Sequence, residues 1–296
     1  KALMFCGVLD ALEDYMQLNG KNYNEWRREL KGLAGTSAGT ICCLCILLGL
    51  NKQQRENTIK EIFSDLRNIV PCPDISLMIN SFGLENGKTF RNHIKKILSL
   101  SGLSEETTLG DIKRLFAKDF YCICSNLQTQ RPIYISSIDT PSVKIYDAIY
   151  MSCSIPFVFA PMEYEGNYVV DGSLTEDIPF VFDNEKTMFL YIPKITTEKK
   201  ISSWLDFINC LLHFSISSQK NEEKITEGFK IKVLGNTFIR NLPSFDFNLN
   251  EQVINEMISY GYMIVMNMFT NYKISESVGD LVCKISVMHT DETFDA

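Results

Sequence analysis

Leu33-Ala34-Gly35-Thr36-Ser37-Ala38-Gly39-Thr40 is the run that decides the fold. It sets a serine between glycines two residues away on either side, the spacing of a nucleophile elbow, where a strand turns sharply into a helix. In so tight a turn, a side chain at either flanking position is expected to collide with neighbouring backbone, which accounts for Gly35 and Gly39. The serine hydroxyl is pushed to the start of the helix. The first amides there have no intrahelical acceptor and favour developing negative charge. The surroundings fit this reading. Residues 41–48 form an apolar helical run stopped by Gly49, and residues 30–34 read as a short buried strand. Glycine, serine and alanine are common residues, so the pattern takes its meaning from what accompanies it.

Composition narrows the class. A chain of 296 residues with 45% hydrophobic and 22% charged residues has the core and surface of a globular α/β protein. Its net charge of −7 argues against a nucleic-acid surface. The basic pairs Lys95-Lys96 and Lys199-Lys200 are isolated and read as solvated faces. Ten cysteines do not form a disulfide framework. Cys42, Cys43 and Cys45 fall in the apolar run behind Ser37, and Cys122 and Cys124 alternate in a strand-like run, so they read as small buried hydrophobes in a reducing compartment. Cys42 and Cys45 have C-x-x-C spacing, but no second pair answers it, and no metal or cofactor is expected. No apolar run is long enough to span a bilayer. The expected location is therefore intracellular and cytoplasmic, with peripheral membrane contact or secretion as an effector left open.

Helical and strand signals alternate along the chain. Residues 3–18, 53–69, 90–100 and 109–116 carry helical stripes, and residues 143–150 form a short helical segment. Residues 120–125 and 133–138 read as a hairpin, and 168–170 and 188–192 as strands. This alternation predicts a sheet covered by helices on both faces. Residues 204–214 and 252–269 are apolar helical stretches.

An elbow serine needs a base. Of the three histidines, His93 lies in a basic helix beside Lys95, His213 in an apolar helical run and His289 in a polar segment, so a Ser-His-Asp triad has little support. A carboxylate takes the role if it is held against the serine and tuned by its surroundings. Asp171, delivered by Tyr168-Val169-Val170 and followed by Gly172, is the best placed.

Four stretches taken together resemble the patatin-like phospholipases, acyl hydrolases that use a Ser-Asp dyad. They are Gly35-Thr36-Ser37-Ala38-Gly39; the Ser-x-x-x-Pro-x-x-Phe-x-Pro run from Ser152 to Pro161; Asp171-Gly172-Ser173 followed by Ile178-Pro179; and the opening Lys1-Ala2 with residues 7–13. The last is similar to the tail of the family's glycine-rich oxyanion motif. The resemblance covers about residues 1–182, extends weakly to 246–262, and leaves 183–296 as elaboration of a single domain. It implies a three-layer α/β/α sandwich with a mostly parallel sheet, Ser37 as nucleophile and Asp171 as base. The substrate it implies is a phospholipid or other lipid ester, met in transient contact with a membrane surface.

Several positions depart from the family pattern. The oxyanion glycines would precede Lys1 and are expected upstream of it; each lost donor costs about 10²–10³ in rate. Ala2 stands where glycine is usual. Ser173 replaces a Gly or Ala, and its hydroxyl is small enough to hydrogen-bond Asp171. Asp177 stands where Asn is frequent and is expected to raise the pKa of Asp171. Phe157 and Phe159, with Phe180 and Phe182, are candidates to line an acyl channel. Two alternatives stay open: an esterase with His213 or His289 in a triad, and a silent lipid-binding protein that keeps the fold.

Overall fold

The computed structural model describes residues 3–69, 75–182, 184–192, 201, 207–208, 210–212, 224–225, 228–233 and 249–271. Four segments open the chain: helix α1 (Met4–Leu18), α2 (Tyr23–Glu29), strand β1 (Gly32–Thr36) and α3 (Ala38–Leu48). Helices α4 (Lys52–Ile69) and α5 (Ile75–Ser81), strand β2 (Gly83–Glu85), and helices α6 (Lys88–Leu100) and α7 (Leu109–Phe116) come next. Strands β3 (Asp119–Asn126) and β4 (Arg131–Ser136) precede α8 (Ile145–Cys153). Then come β5 (Phe157–Phe159), β6 (Met162–Tyr164), β7 (Asn167–Asp171), β8 (Met188–Tyr191), β9 (Phe229–Lys232) and α9 (Glu251–Asn271).

The α/β class is as the sequence predicts. The sheet that carries the site is mixed rather than mostly parallel. β1 runs parallel to β3, while β4 and β7 pair with β3 antiparallel and β6 pairs with β7 antiparallel. The β3–β4 hairpin supplies one antiparallel pair, and a two-residue hairpin joins β6 to β7. Glu165 (φ 50°) and Gly166 (φ 75°) both adopt left-handed backbone, as the favoured hairpin turn requires. Parallel pairs recur outside this sheet, at β2–β5 and β8–β9.

β3 is the central rail. Its residues 121–126 pair with β4 along one edge. β1 pairs with residues 119–123 and β7 with residues 124–126, so both must share the opposite edge. They approach head to head, since Thr36 lies opposite Ile123 and Asp171 opposite the next residue, Cys124. The ends of two strands far apart in sequence therefore meet.

The core explains why the elements hold. Phe120, Cys122, Ile123 and Cys124 of β3 are fully buried, as are Ile149 and Met151 of α8 and Leu44 of α3. Burying an aliphatic side chain of this size stabilises by about 1.5–3 kcal/mol. α1 and α9 touch at two glycines: a Cβ on Gly7 would fall on the Ile258 carbonyl, and one on Gly261 on the Met4 carbonyl. Tyr15 stacks on Phe269 beside this contact, with ring centroids 4.1 Å apart. Arg55, almost wholly buried, fastens α4 to α1 through Asp10 (2.6 Å) and Glu13 (2.7 Å) and also donates to the Leu50 carbonyl. Every cysteine among the described residues is a free thiol. Burial pushes the Cys45 thiol up to about 12, in keeping with its reading as an inert core residue.

Candidate active site

Ser37 sits between β1 and α3 with φ 53° and ψ −131°, a conformation that costs a non-glycine residue about 1–3 kcal/mol. Its surroundings fix it there. The Ser37 N–H donates to Ser152 Oγ (3.0 Å), and the Ser152 hydroxyl donates a hydrogen bond to the Ile123 carbonyl (2.6 Å). The Ser37 carbonyl accepts from the Thr40 N–H (2.9 Å) and from Thr40 Oγ1 (2.6 Å). Ser152 and Thr40 are both fully buried, so these bonds are shielded from water.

The two elbow glycines differ. A Cβ on Gly35 would stand 2.5 Å from the Thr40 nitrogen and 2.6 Å from the Gly39 carbonyl carbon, so no side chain fits. A Cβ on Gly39 would meet nothing within 4 Å. The collision expected at both positions occurs at Gly35 only, because Gly39 already lies in the first turn of α3 and faces open space.

Asp171 ends β7. Its N–H donates to the Ser154 carbonyl (2.9 Å), and its carbonyl accepts from Ser125 Oγ (2.8 Å). Ser37 Oγ donates to Asp171 Oδ2 at 2.5 Å, while Oδ1 accepts from the Ser173 N–H (2.9 Å) and from Ser173 Oγ (2.6 Å). Only 1% of Asp171 is exposed. Burial holds its carboxyl above the usual carboxylate range, opposed by the hydrogen bonds from Ser173 and Ser37. The cause is burial; Asp177, expected from the sequence to raise it, is not among the groups acting on Asp171.

Gly172 must be glycine. A Cβ there would lie 2.1 Å from the Ile123 carbonyl oxygen. The turn that follows is tied back under the elbow, where Thr36 Oγ1 donates to the Glu176 carbonyl (3.0 Å) and Tyr134 donates to the Glu176 carboxylate (2.6 Å).

The other sequence candidates scatter. Phe159 is 2% exposed and packs against Phe90 and Tyr150 in the core. Phe157 is 41% exposed and holds φ 68°. Phe180 packs on Phe189, and Phe182 on Tyr121. His93 faces Glu61 at 4.0 Å on the helices α6 and α4. Lys1, Ala2, His213 and His289 lie outside the described residues. Ser152, on the last turn of α8, and Ser154, just past its end, reach Ser37 and Asp171 from one short segment, and nothing local to them in the sequence marks that role.

Residues 1–182 match the profile of the patatin-like phospholipases, and the chain belongs to that family. It is 26% identical over 159 residues to uncharacterized protein R571 of Acanthamoeba polyphaga mimivirus, covering 53% of this chain and 52% of that one. It is 23% identical over 193 residues to probable lipid hydrolase 463L of Invertebrate iridescent virus 6, covering 59% of this chain and 64% of the other. The chain thus spans less than two thirds of the length of these relatives. VipD from Legionella pneumophila shares the fold, with a TM-score of 0.53 at 15% identity over 91% of this chain and 65% of VipD.

Proposed function

We propose that this chain is a lipid acyl hydrolase of the phospholipase A or lysophospholipase type, with Ser37 as nucleophile and Asp171 as general base. The observation that carries the reading is the 2.5 Å hydrogen bond from Ser37 Oγ to Asp171 Oδ2, made between two strand ends fixed on the same edge of β3. Asp171 Oδ2 takes the hydroxyl proton as Ser37 Oγ attacks the ester carbonyl carbon. The tetrahedral intermediate collapses, and the leaving alcohol carries that proton away, giving an acyl-Ser37 ester. Water then gives a proton to Oδ2 as its oxygen attacks the acyl carbon. The second collapse frees the fatty acid and returns the proton to Ser37.

Membership of a phospholipase family and the name of the iridovirus relative favour a lipid ester as substrate. Phe82 (55% exposed) and Phe157 (41%), with the Tyr168 ring edge-on to Phe82, give an apolar surface suited to brief contact with a lipid layer. Replacing Phe82 and Phe157 by Glu should reduce turnover of vesicle phospholipid more than turnover of a water-soluble ester; equal losses count against that contact.

The reading is tested by ester hydrolysis. Asp171→Asn should lower kcat by about 10²–10⁴. His93→Ala, His213→Ala and His289→Ala should leave it near the wild-type rate. A histidine variant that abolishes turnover would make the enzyme a triad esterase instead.

A further inference from the structure

A carboxylate has two equivalent oxygens, and a base that serves one serine hydroxyl in both acylation and deacylation must present the same oxygen to it each time. In this site the distinction is made by Ser173. Both of its donors, the backbone N–H and the hydroxyl, converge on Asp171 Oδ1 at 2.9 Å and 2.6 Å, while among the described residues Ser37 is the donor to Oδ2. We propose that Ser173 is a positioning residue of the reaction, whose hydroxyl pins Oδ1 so that Oδ2 is the oxygen that takes the Ser37 proton in acylation and delivers water's proton to Ser37 in deacylation. The proposal rests on the Ser37–Asp171 reading and deepens it.

The chemistry of the pair supports this. When Oδ2 is protonated, Oδ1 becomes the carbonyl oxygen of a neutral acid and keeps both Ser173 donors, so nothing rearranges between acylation and deacylation. The carboxyl stays aimed at Ser37 in both states. Ser173 and Ser37 are both half-buried, and Asp171 between them is wholly buried.

The same hydroxyl favours the ionised base. Burial alone drives Asp171 toward the neutral form, which takes no proton. The Ser173 hydroxyl is the largest influence in the opposite direction, ahead of Ser37 and the Ser173 N–H. Asp171 in turn acts on the thiols of Cys124 on β3 and Cys153 on α8, both raised by burial first and by the Asp171 charge second. Among the described residues, the groups that oppose burial at Asp171 are hydrogen-bond donors rather than cations.

The test is the pH profile of kcat and KM on a short-chain p-nitrophenyl ester for the wild type, Ser173→Ala, Ser173→Thr and Asp171→Asn. Loss of one hydrogen bond to a charged group is expected to move the acidic limb of Ser173→Ala up by about one pH unit. Below the limb, kcat then falls about tenfold, with KM unchanged and the alkaline plateau nearly kept. Ser173→Thr, which keeps a hydroxyl, should move the limb back toward the wild type. A Ser173→Ala profile that overlays the wild type while Asp171→Asn is inactive overturns the role of Ser173 alone. Equal losses in Ser173→Ala and Ser173→Thr with no shift of the limb mark a packing effect and also overturn it. An active Asp171→Asn would instead defeat the dyad reading, and this inference with it.

Discussion

Gly172 rests against the Ile123 carbonyl so closely that a Cβ on it would stand 2.1 Å from the oxygen. Ile123 is also the residue opposite Thr36 and the acceptor for Ser152. One peptide carbonyl on β3 thus sets the height of the turn after Asp171 and anchors the brace of the elbow. Gly172→Ala must push the turn off the strand. Overpacking of this kind costs about 1–3 kcal/mol. The variant should unfold several degrees below the wild type in a thermal melt and lose most of its activity; an unchanged melt would show that the turn gives way freely.

The elbow glycines should separate cleanly. Gly35→Ala meets the Thr40 nitrogen and the Gly39 backbone and should be strongly destabilising. Gly39→Ala enters open space in the first turn of α3, where alanine gains up to about 1 kcal/mol of helix propensity over glycine. Its melting temperature should equal or exceed that of the wild type. Equal destabilisation by the two changes would contradict the geometry.

Asp171 should be a stability cost as well as a base. Its folded pKa is raised by burial above that of the unfolded chain. The folded state therefore keeps its proton to a higher pH than the unfolded state does. This contribution to stability is present at low pH and is lost as pH rises from about 3.9, the ordinary aspartate value, through the raised folded value. Asp171→Asn removes the loss, so at neutral pH it should be inactive yet melt at a higher temperature than the wild type. The gap should shrink as pH falls toward 4. A variant less stable than the wild type at pH 7 would show that the ionised group is better satisfied than its burial implies.

Ser152 should act on rate rather than affinity. Its hydroxyl is the acceptor for the Ser37 N–H at 3.0 Å, and it is fully buried. Ser152→Ala orphans that N–H at a cost of about 1–3 kcal/mol. Part of this should appear as a lower melting temperature and part as a fall in kcat, since the elbow loses the brace that holds its strained backbone. KM should change little; a change confined to KM would place Ser152 in substrate binding instead.

Much of this site is visible in the sequence, because a strand-end residue announces itself locally. Ser37 is marked by Gly35 and by the apolar helix behind it. Asp171 is marked by three strand residues and by a glycine that has to be small. The β3–β4 hairpin and α1, α4, α6 and α7 fall within a residue or two of the stripes that predict them. What the sequence hid depends on distance along the chain. Ser152 braces an amide 115 residues away, and nothing in its own neighbourhood says so. Phe159 resembled a channel residue because an aromatic at a strand end serves core and cleft equally well; only its contacts with Phe90 and Tyr150 place it inside. A mostly parallel sheet is what the family resemblance implies. That expectation missed the β6–β7 hairpin, whose two-residue Glu165-Gly166 turn was the available clue.

The central claim is that Ser37 is a nucleophile activated by Asp171. Its most direct measurement is covalent labelling with a fluorophosphonate, followed by mass spectrometry of the modified peptide and the labelling rate. The account predicts one adduct on Ser37, absent in Ser37→Ala and at least about a hundredfold slower to form in Asp171→Asn. An adduct on another residue, or labelling of Ser37 at the wild-type rate in Asp171→Asn, would contradict it.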